Sequence, residues 1–216
     1  MDTREGRFRV YRVTESVPHI NLQATGSPVL YTVYQQGYAD LQPAVDALTT
    51  GDRVDATLSG DADADDEAWR LEALERVDRV EMGFAVDVEP PAVARETWGV
   101  GRTKPACTTL TEDGTAVGAC CVQPREPLPG GQFVPNVLTG LLPLEDQLTS
   151  VPGVGDPAVE ALFLDPDPPG ASRHTTPYGV VLLFTDRAGS LPERYRDSYD
   201  CPRGSDSRPA FDPYAP

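Results

Sequence analysis

Glycine and proline punctuate this chain: together they make up 41 of its 216 residues, 19 Gly plus 22 Pro. Glycine costs entropy inside a helix or strand, and proline fixes φ and removes a donor. A chain interrupted this often folds as short elements joined by many turns around a small core. The apolar runs agree. The longest near the C-terminus, VVLLF at 180–184, is far below the roughly 20 residues a membrane helix needs. Strand-like segments with a few short helices between them predict an α+β protein.

The first part reads as strands. RFRVYRV at 7–13 alternates apolar and basic residues, and PVLYTVY at 28–34 is rich in β-branched and aromatic residues. At 51–58 a Gly-Asp turn leads into an alternation of Val54, Ala56 and Leu58. Apolar residues at 71, 74, 77 and 80 have helical spacing, but the hairpin-like acidic loop 60–67 and Gly83 favour two further strands over 69–84. These segments predict a small N-terminal β-barrel of the OB or SH3-like kind over 5–88. An α+β region over 89–200 follows. It starts with a short helix at 92–98 after Pro90 and Pro91. It continues with a hairpin at 108–122 across Asp113-Gly114, and its best buried strand is 178–185. A Pro/Gly-rich insertion is expected at 123–177 and an irregular tail at 201–216.

Charge bounds the surroundings more than the reaction. The chain has 34 Asp+Glu against 18 Lys+Arg, a net charge of −16, and Lys104 is its single lysine. Surface carboxylates hold water and cations, and molar salt screens the self-repulsion they create. This balance resembles that of cytosolic proteins from salt-in halophilic archaea. The N-terminus has no basic region followed by an apolar one, so no secretory signal is read. A cytoplasmic protein with mostly reduced cysteines is expected, with no membrane association.

Three motifs invite chemistry. VPGVGDPAVEAL at 151–162 resembles the hairpin of a helix–hairpin–helix element, with helices at 144–150 and 158–164 and amides free for phosphate. Asp156 and Pro157 stand where such hairpins offer a basic residue, and a simple turn between two helices is preferred. The same residues satisfy Gly-x-Gly-x-x-Ala without the strand and terminal acid that a dinucleotide site requires. GVGRTK at 99–104 lacks P-loop spacing and reads as a connector.

The cysteines are Cys107, Cys120, Cys121 and Cys201, and the histidines are His19 and His174. No Cys-x-x-Cys pair supports zinc. Adjacent Cys120 and Cys121 on a strand point to opposite faces. Cys107, Cys121, His174 and Cys201 are the set from which a thiol or metal site could be built, and Cys121 with His174 is the arrangement that would suit a thiol enzyme. Otherwise the cysteines are core residues, and neither a metal nor a cofactor is expected. Arg7, Arg9 and Arg53, interleaved with Tyr31, could form a face for single-stranded nucleic acid, where bases stack on rings and arginine tracks the backbone. The bland alternative is arginine paired with surface carboxylate.

GRFRV at 6–10, GDRVDATL at 51–58 and RETW at 95–98, with Asp113-Gly114 and PYGVV at 177–181, resemble a family of uncharacterised haloarchaeal proteins of unknown function. That resemblance implies no activity and no catalytic residues. The function is therefore left unknown. The first expectation is a non-enzymatic binding or regulatory module of a halophilic cytoplasm, possible partners being nucleic acid or another protein. A thiol-dependent or acid–base enzyme and a structural interaction component are the alternatives.

Overall fold

The computed structural model describes residues 2–13, 17–64 and 67–211. It has two compact units: residues 1–79 with 138–143, and 80–137 with 144–216. Asp65, Asp66 and the last five residues of the expected tail lie outside the described residues.

The first unit is a five-stranded antiparallel sheet. Its strands are β1 (Asp2–Tyr11), β2 (His19–Ala24), β3 (Leu30–Tyr34), β4 (Asp52–Gly60) and β5 (Arg70–Arg79), in the order β3-β2-β1-β4-β5. The short helix α1 (Gln42–Asp46) joins β3 to β4. Alternation builds the core, as period-two side chains require. Phe8, Val10, Ile20, Leu22, Val33, Val54, Ala56 and Leu58 are buried together with Val45 of α1 and Leu48. β5 is a strand despite its apolar spacing of three. Leu71 is buried, Val77 is 41% exposed, and two register shifts in the β4–β5 ladder absorb the mismatch.

This sheet corrects the expected barrel. Its strands pair as an open row, and its two edges meet through one parallel bridge, Val33 of β3 with Trp69, just before β5. Among the described residues no ladder extends that bridge into closure. The last of the five strands expected for the barrel, β6 (Glu81–Val86), belongs to the second sheet. The outer side of the first sheet also carries its own cover. Asn21 Nδ2 donates to the Thr139 carbonyl at 2.9 Å and Gln23 Nε2 to the Gly140 carbonyl at 3.0 Å. A Cβ on Gly140 would sit 2.9 Å from the Tyr11 ring. Residues 138–143 thus lie across β1 and β2.

The second unit adds α2 (Ala92–Trp98), β7 (Ala106–Glu112), β8 (Thr115–Pro124), α3 (Phe133–Leu138), α4 (Glu145–Thr149), β9 (Glu160–Asp165), β10 (Tyr178–Phe184) and α5 (Leu191–Ser198). Its sheet runs β6-β9-β10-β8-β7, antiparallel except for the β6–β9 pair. β9 and β10 are buried at every position, which explains their continuous apolar runs. Ala94 of α2, with partly buried Leu191 and Tyr195 of α5, packs on the face carrying Cys120, Val122, Leu162, Val180, Leu182 and Phe184. On the other face the buried Phe133 ring lies against Gly179.

Of the two helices read at 144–150 and 158–164, the first is present as α4, and the second needs correction: 160–165 is the interior strand β9. The 123–177 stretch therefore supplies a strand between β6 and β10. Glu160, Ala161 and Leu162 favour helix intrinsically, and pairing on both sides overrides that preference. The residues after α5 are held by side chains. The buried Arg196 donates from Nε to Glu160 at 2.7 Å and from Nη1 to the Cys201 carbonyl at 2.9 Å. The Phe84 amide donates to Ser207 Oγ at 2.9 Å.

Candidate functional site

The expected arginine face disperses. Arg7 on β1 forms a two-pronged pair with Asp55 on β4, at 2.7 and 2.8 Å. Those hydrogen bonds hold the Asp55 carboxyl below its usual range. Arg53 pairs with Asp78. Arg9 is 2% exposed, donates to the Gly51 carbonyl at 2.8 Å and lies 3.9 Å from Asp78. Tyr31 is half-buried, edge-on to Phe8 at 5.7 Å and to Trp69 at 5.2 Å. Three of the four expected contacts are therefore occupied internally. A groove of about 690 Å³ runs beside Arg7 and Asp55, flanked by Glu5 and Glu75. Its single cation is already matched by Asp55.

A different arginine–aromatic arrangement stands at the β3–β5 junction. Trp69 enters β3 through its backbone: its amide donates to the Thr32 carbonyl at 2.8 Å, and its carbonyl accepts from the Tyr34 amide at 3.0 Å. The indole lies flat on Gly60, where a Cβ would come within 2.5 Å of Cδ2. The Arg4 guanidinium sits 5.8 Å from the Trp69 ring centre. Arg70 lies 5.1 Å from the Tyr38 ring and 5.8 Å from the Tyr34 ring, and donates to the Gly37 carbonyl. His19 packs at 5.6 Å on the other side of Tyr34. Trp69 and Arg70 are neighbours in extended backbone and point to opposite sides, so the two stacks flank the junction. The aromatic signal was visible in the sequence. The relevant arginines were not, because arginine is scattered along the chain and its pairing is a tertiary property.

The cysteine–histidine set does not assemble. Cys107 on β7 and Cys121 on β8 are directly opposed and joined by a disulfide, with Cα atoms 4.0 Å apart. This corrects the expectation of reduced cysteines for that pair. Cys120 points to the opposite, core face as the alternation demanded, and burial pushes its thiol up to about 12. Cys201 is buried near Gly83 and Arg196, and burial raises its thiol as well. His174 lies elsewhere. Its Nε2 is 3.3 Å from the Gly130 carbonyl and its Nδ1 is 3.9 Å from Asp167. No cysteine is thereby offered a histidine base, and among the described residues no cluster of His, Cys, Asp and Glu could hold a metal ion.

The turn at 151–156 spends its amides internally. Val154 and Gly155 N–H groups donate to the Val151 carbonyl at 3.0 and 2.9 Å, and Asp156 pairs with Arg187 at 2.7 Å. Gly153, at φ 77°, lies against Thr109 Oγ1 of β7. The loop is a packed turn with no phosphate-facing nest. Between residues 133 and 164, among the described residues, Leu141 and Val159 are the exposed large apolar side chains.

A buried polar cluster in the second unit was missed in the sequence. Arg125, just after β8, donates to Asp165 and Asp167 and to the Thr176 and Gly131 carbonyls. Asp167 also accepts from the Thr175 amide at 2.8 Å and hydroxyl at 2.6 Å, and from the Thr176 amide at 3.4 Å. Burial alone would raise the Asp167 carboxyl. The Thr175 and Thr176 hydrogen bonds and the Arg125 charge outweigh it, and the carboxyl is held below its usual value. Every donor group of Arg125 is engaged with protein, so the cluster fastens 125–134 to 165–176. Its one sequence clue was a carboxylate closing a purely apolar strand, ALFLD at 161–165.

Fold and site together define a two-sheet α+β protein with an arginine–aromatic junction, a cross-strand disulfide and a buried Arg–Asp clamp. The chain belongs to a family of unknown function (DUF6663), matched over residues 1–204. No curated protein matches it. No helix among the described residues is long and apolar enough to cross a membrane.

Proposed function

We propose that the chain is a non-enzymatic binding module whose contact surface is the β3–β5 junction. One observation carries this reading. Arg7, Arg9, Arg53 and Arg79 each face a carboxylate, whereas Arg4 and Arg70 face aromatic rings and carbonyls. A guanidinium held on a ring keeps its charge available to an anionic ligand, and the ring rims beside it offer stacking. Single-stranded nucleic acid is the ligand class that uses both.

The net charge of −16 opposes such a ligand at long range. Stacking acts at contact and survives screening. Attachment to this protein should therefore strengthen with added salt, against the ordinary trend for nucleic-acid binders. The acid excess beside one lysine supports a salt-rich cytoplasm as the setting in which this would operate.

Trp69 reports on the site once Trp98 is changed to Phe. Titration with single-stranded polyuridine or polydeoxythymidine, from dilute buffer to molar potassium chloride, should quench its fluorescence more strongly as salt rises. Arg70→Ala and Arg4→Ala should each weaken the effect roughly tenfold, the scale of one stacking contact. Absence of quenching at every salt concentration would overturn the proposal.

A further inference from the structure

We propose that the Cys107–Cys121 pair is a thiol–disulfide exchange site, opened at Cys107 by a carboxylate-bearing low-molecular-weight thiol. Three features point there. The first is access. Cys107 is exposed on β7, the edge strand, whereas Cys121 is 4% exposed on β8. A thiolate attacks a disulfide sulfur in line with the bond it breaks. Solvent offers that approach at the Cys107 sulfur, with Cys121 as the leaving group.

The second feature is register. Ala106 opposes Val122 and Thr108 opposes Cys120, so backbone pairs flank the two cysteines on both sides. The ladder keeps the thiols opposite one another after reduction, and the reverse reaction stays intramolecular. The remaining cysteines are kept out of exchange. Cys120 points into the core on the other face, and Cys201 is buried beside Arg196.

The third feature is local charge. Residues 97–111 contain no Asp or Glu in a chain with 34 of them, and they carry Arg102 and Lys104. Arg102 donates to the Trp98 carbonyl, and both side chains are exposed. A cationic setting attracts an anionic thiol and favours the thiolate form of a reduced cysteine.

The chemistry balances as two exchanges. The incoming thiolate forms a mixed disulfide with Cys107 and expels Cys121 as a thiolate, which takes a proton. A second thiolate then attacks the incoming group's sulfur and releases Cys107 as a thiolate, which is protonated in turn. Two small thiols leave as their disulfide, and the protein disulfide has gained two electrons and two protons.

Glutathione serves as the probe, with neutral 2-mercaptoethanol for comparison. Oxidised native protein should yield a single glutathione adduct, mapped by mass spectrometry to Cys107, and then a dithiol at 107 and 121. Cys121→Ser should accept glutathione from its disulfide at least about tenfold faster than Cys107→Ser, as exposure dictates. Paired Arg102→Glu and Lys104→Glu changes should slow glutathione several-fold and leave 2-mercaptoethanol unaffected. Either of two results would overturn the proposal: a disulfide that resists glutathione in the folded protein and yields only after denaturation, or adducts that form equally at Cys121. The wild-type adduct map needs no variant, so the test holds even where a serine variant misfolds. None of these readouts involves the β3–β5 junction.

Discussion

The N-terminal sheet keeps most of its ion pairs at the surface, whereas the C-terminal unit, besides exposed pairs of its own, buries those of Arg125 and Arg196. Arg7 and Asp55 retain 45% and 47% of their side-chain exposure, while Arg125 and Asp165 retain 4% and 1%. The difference follows from how each sheet is covered. The first has an alternating strand pattern, seen clearly in β4, and its outward side chains meet solvent or residues 138–143. The second is sandwiched between helices and loops, so an arginine at a strand end has no route to water and must find every partner inside. Exposed pairs are screened and contribute little. Buried ones are costly to break because the surviving charge is stranded.

The largest expected effect tests this contrast directly. Arg125→Ala should destabilise the protein by about 3–5 kcal/mol, leaving Asp165 and Asp167 uncompensated, whereas Arg7→Ala should lower the urea midpoint only slightly. Equal losses for the two variants would break the comparison. Packing should divide the sheets in the same way. A Cβ at Gly179 would lie 2.0 Å from the Phe133 ring, which is fully buried. Gly179→Ala should therefore cost about 1–3 kcal/mol or more in thermal or urea unfolding. Gly60→Ala meets the half-buried Trp69, which can swing outward, so a smaller loss and a shifted Trp69 emission are expected.

The smallest effect is a dependence on pH. The Asp167 and Asp55 carboxyls are both held below their unfolded values. Such a group contributes stability above its unfolded pKa of about 4, and that stability is lost as pH falls through the lower folded value. Molar salt should erase the Asp55 share and spare the Asp167 share, because screening acts on exposed pairs. Acid unfolding of Asp55→Asn and Asp167→Asn in low and high salt separates the two. An Asp167 slope that disappears in salt would place that carboxylate in contact with solvent.

Legibility in the sequence depended on how local each signal is. Alternation at Val54, Ala56 and Leu58 and the apolar run of β10 were read directly, because periodicity and continuous burial leave a local mark. β9 was misread as helix, since Glu160–Leu162 favours helix and its two strand partners are distant in sequence. That the first sheet stays open was equally invisible: it turns on the geometry at Trp69, where one bridge forms and a ladder does not. The residues of the thiol set, Cys107, Cys121, His174 and Cys201, were read as one group. Their assembly was not foreseeable, because nothing local says that Cys107 falls opposite Cys121 while His174 packs on Gly130. The Arg125 clamp left almost no trace, since burial of a charge is decided by what folds over it.

The hydrogen bond from Phe84 to Ser207 bears on how the molecule could multiply. A sheet with both borders free can recruit copies in either direction and grow without limit. Here the stretch after α5 occupies part of the β6 border, which leaves β7 as the uncovered one. The tail thereby blunts the β6 border against the addition of another strand.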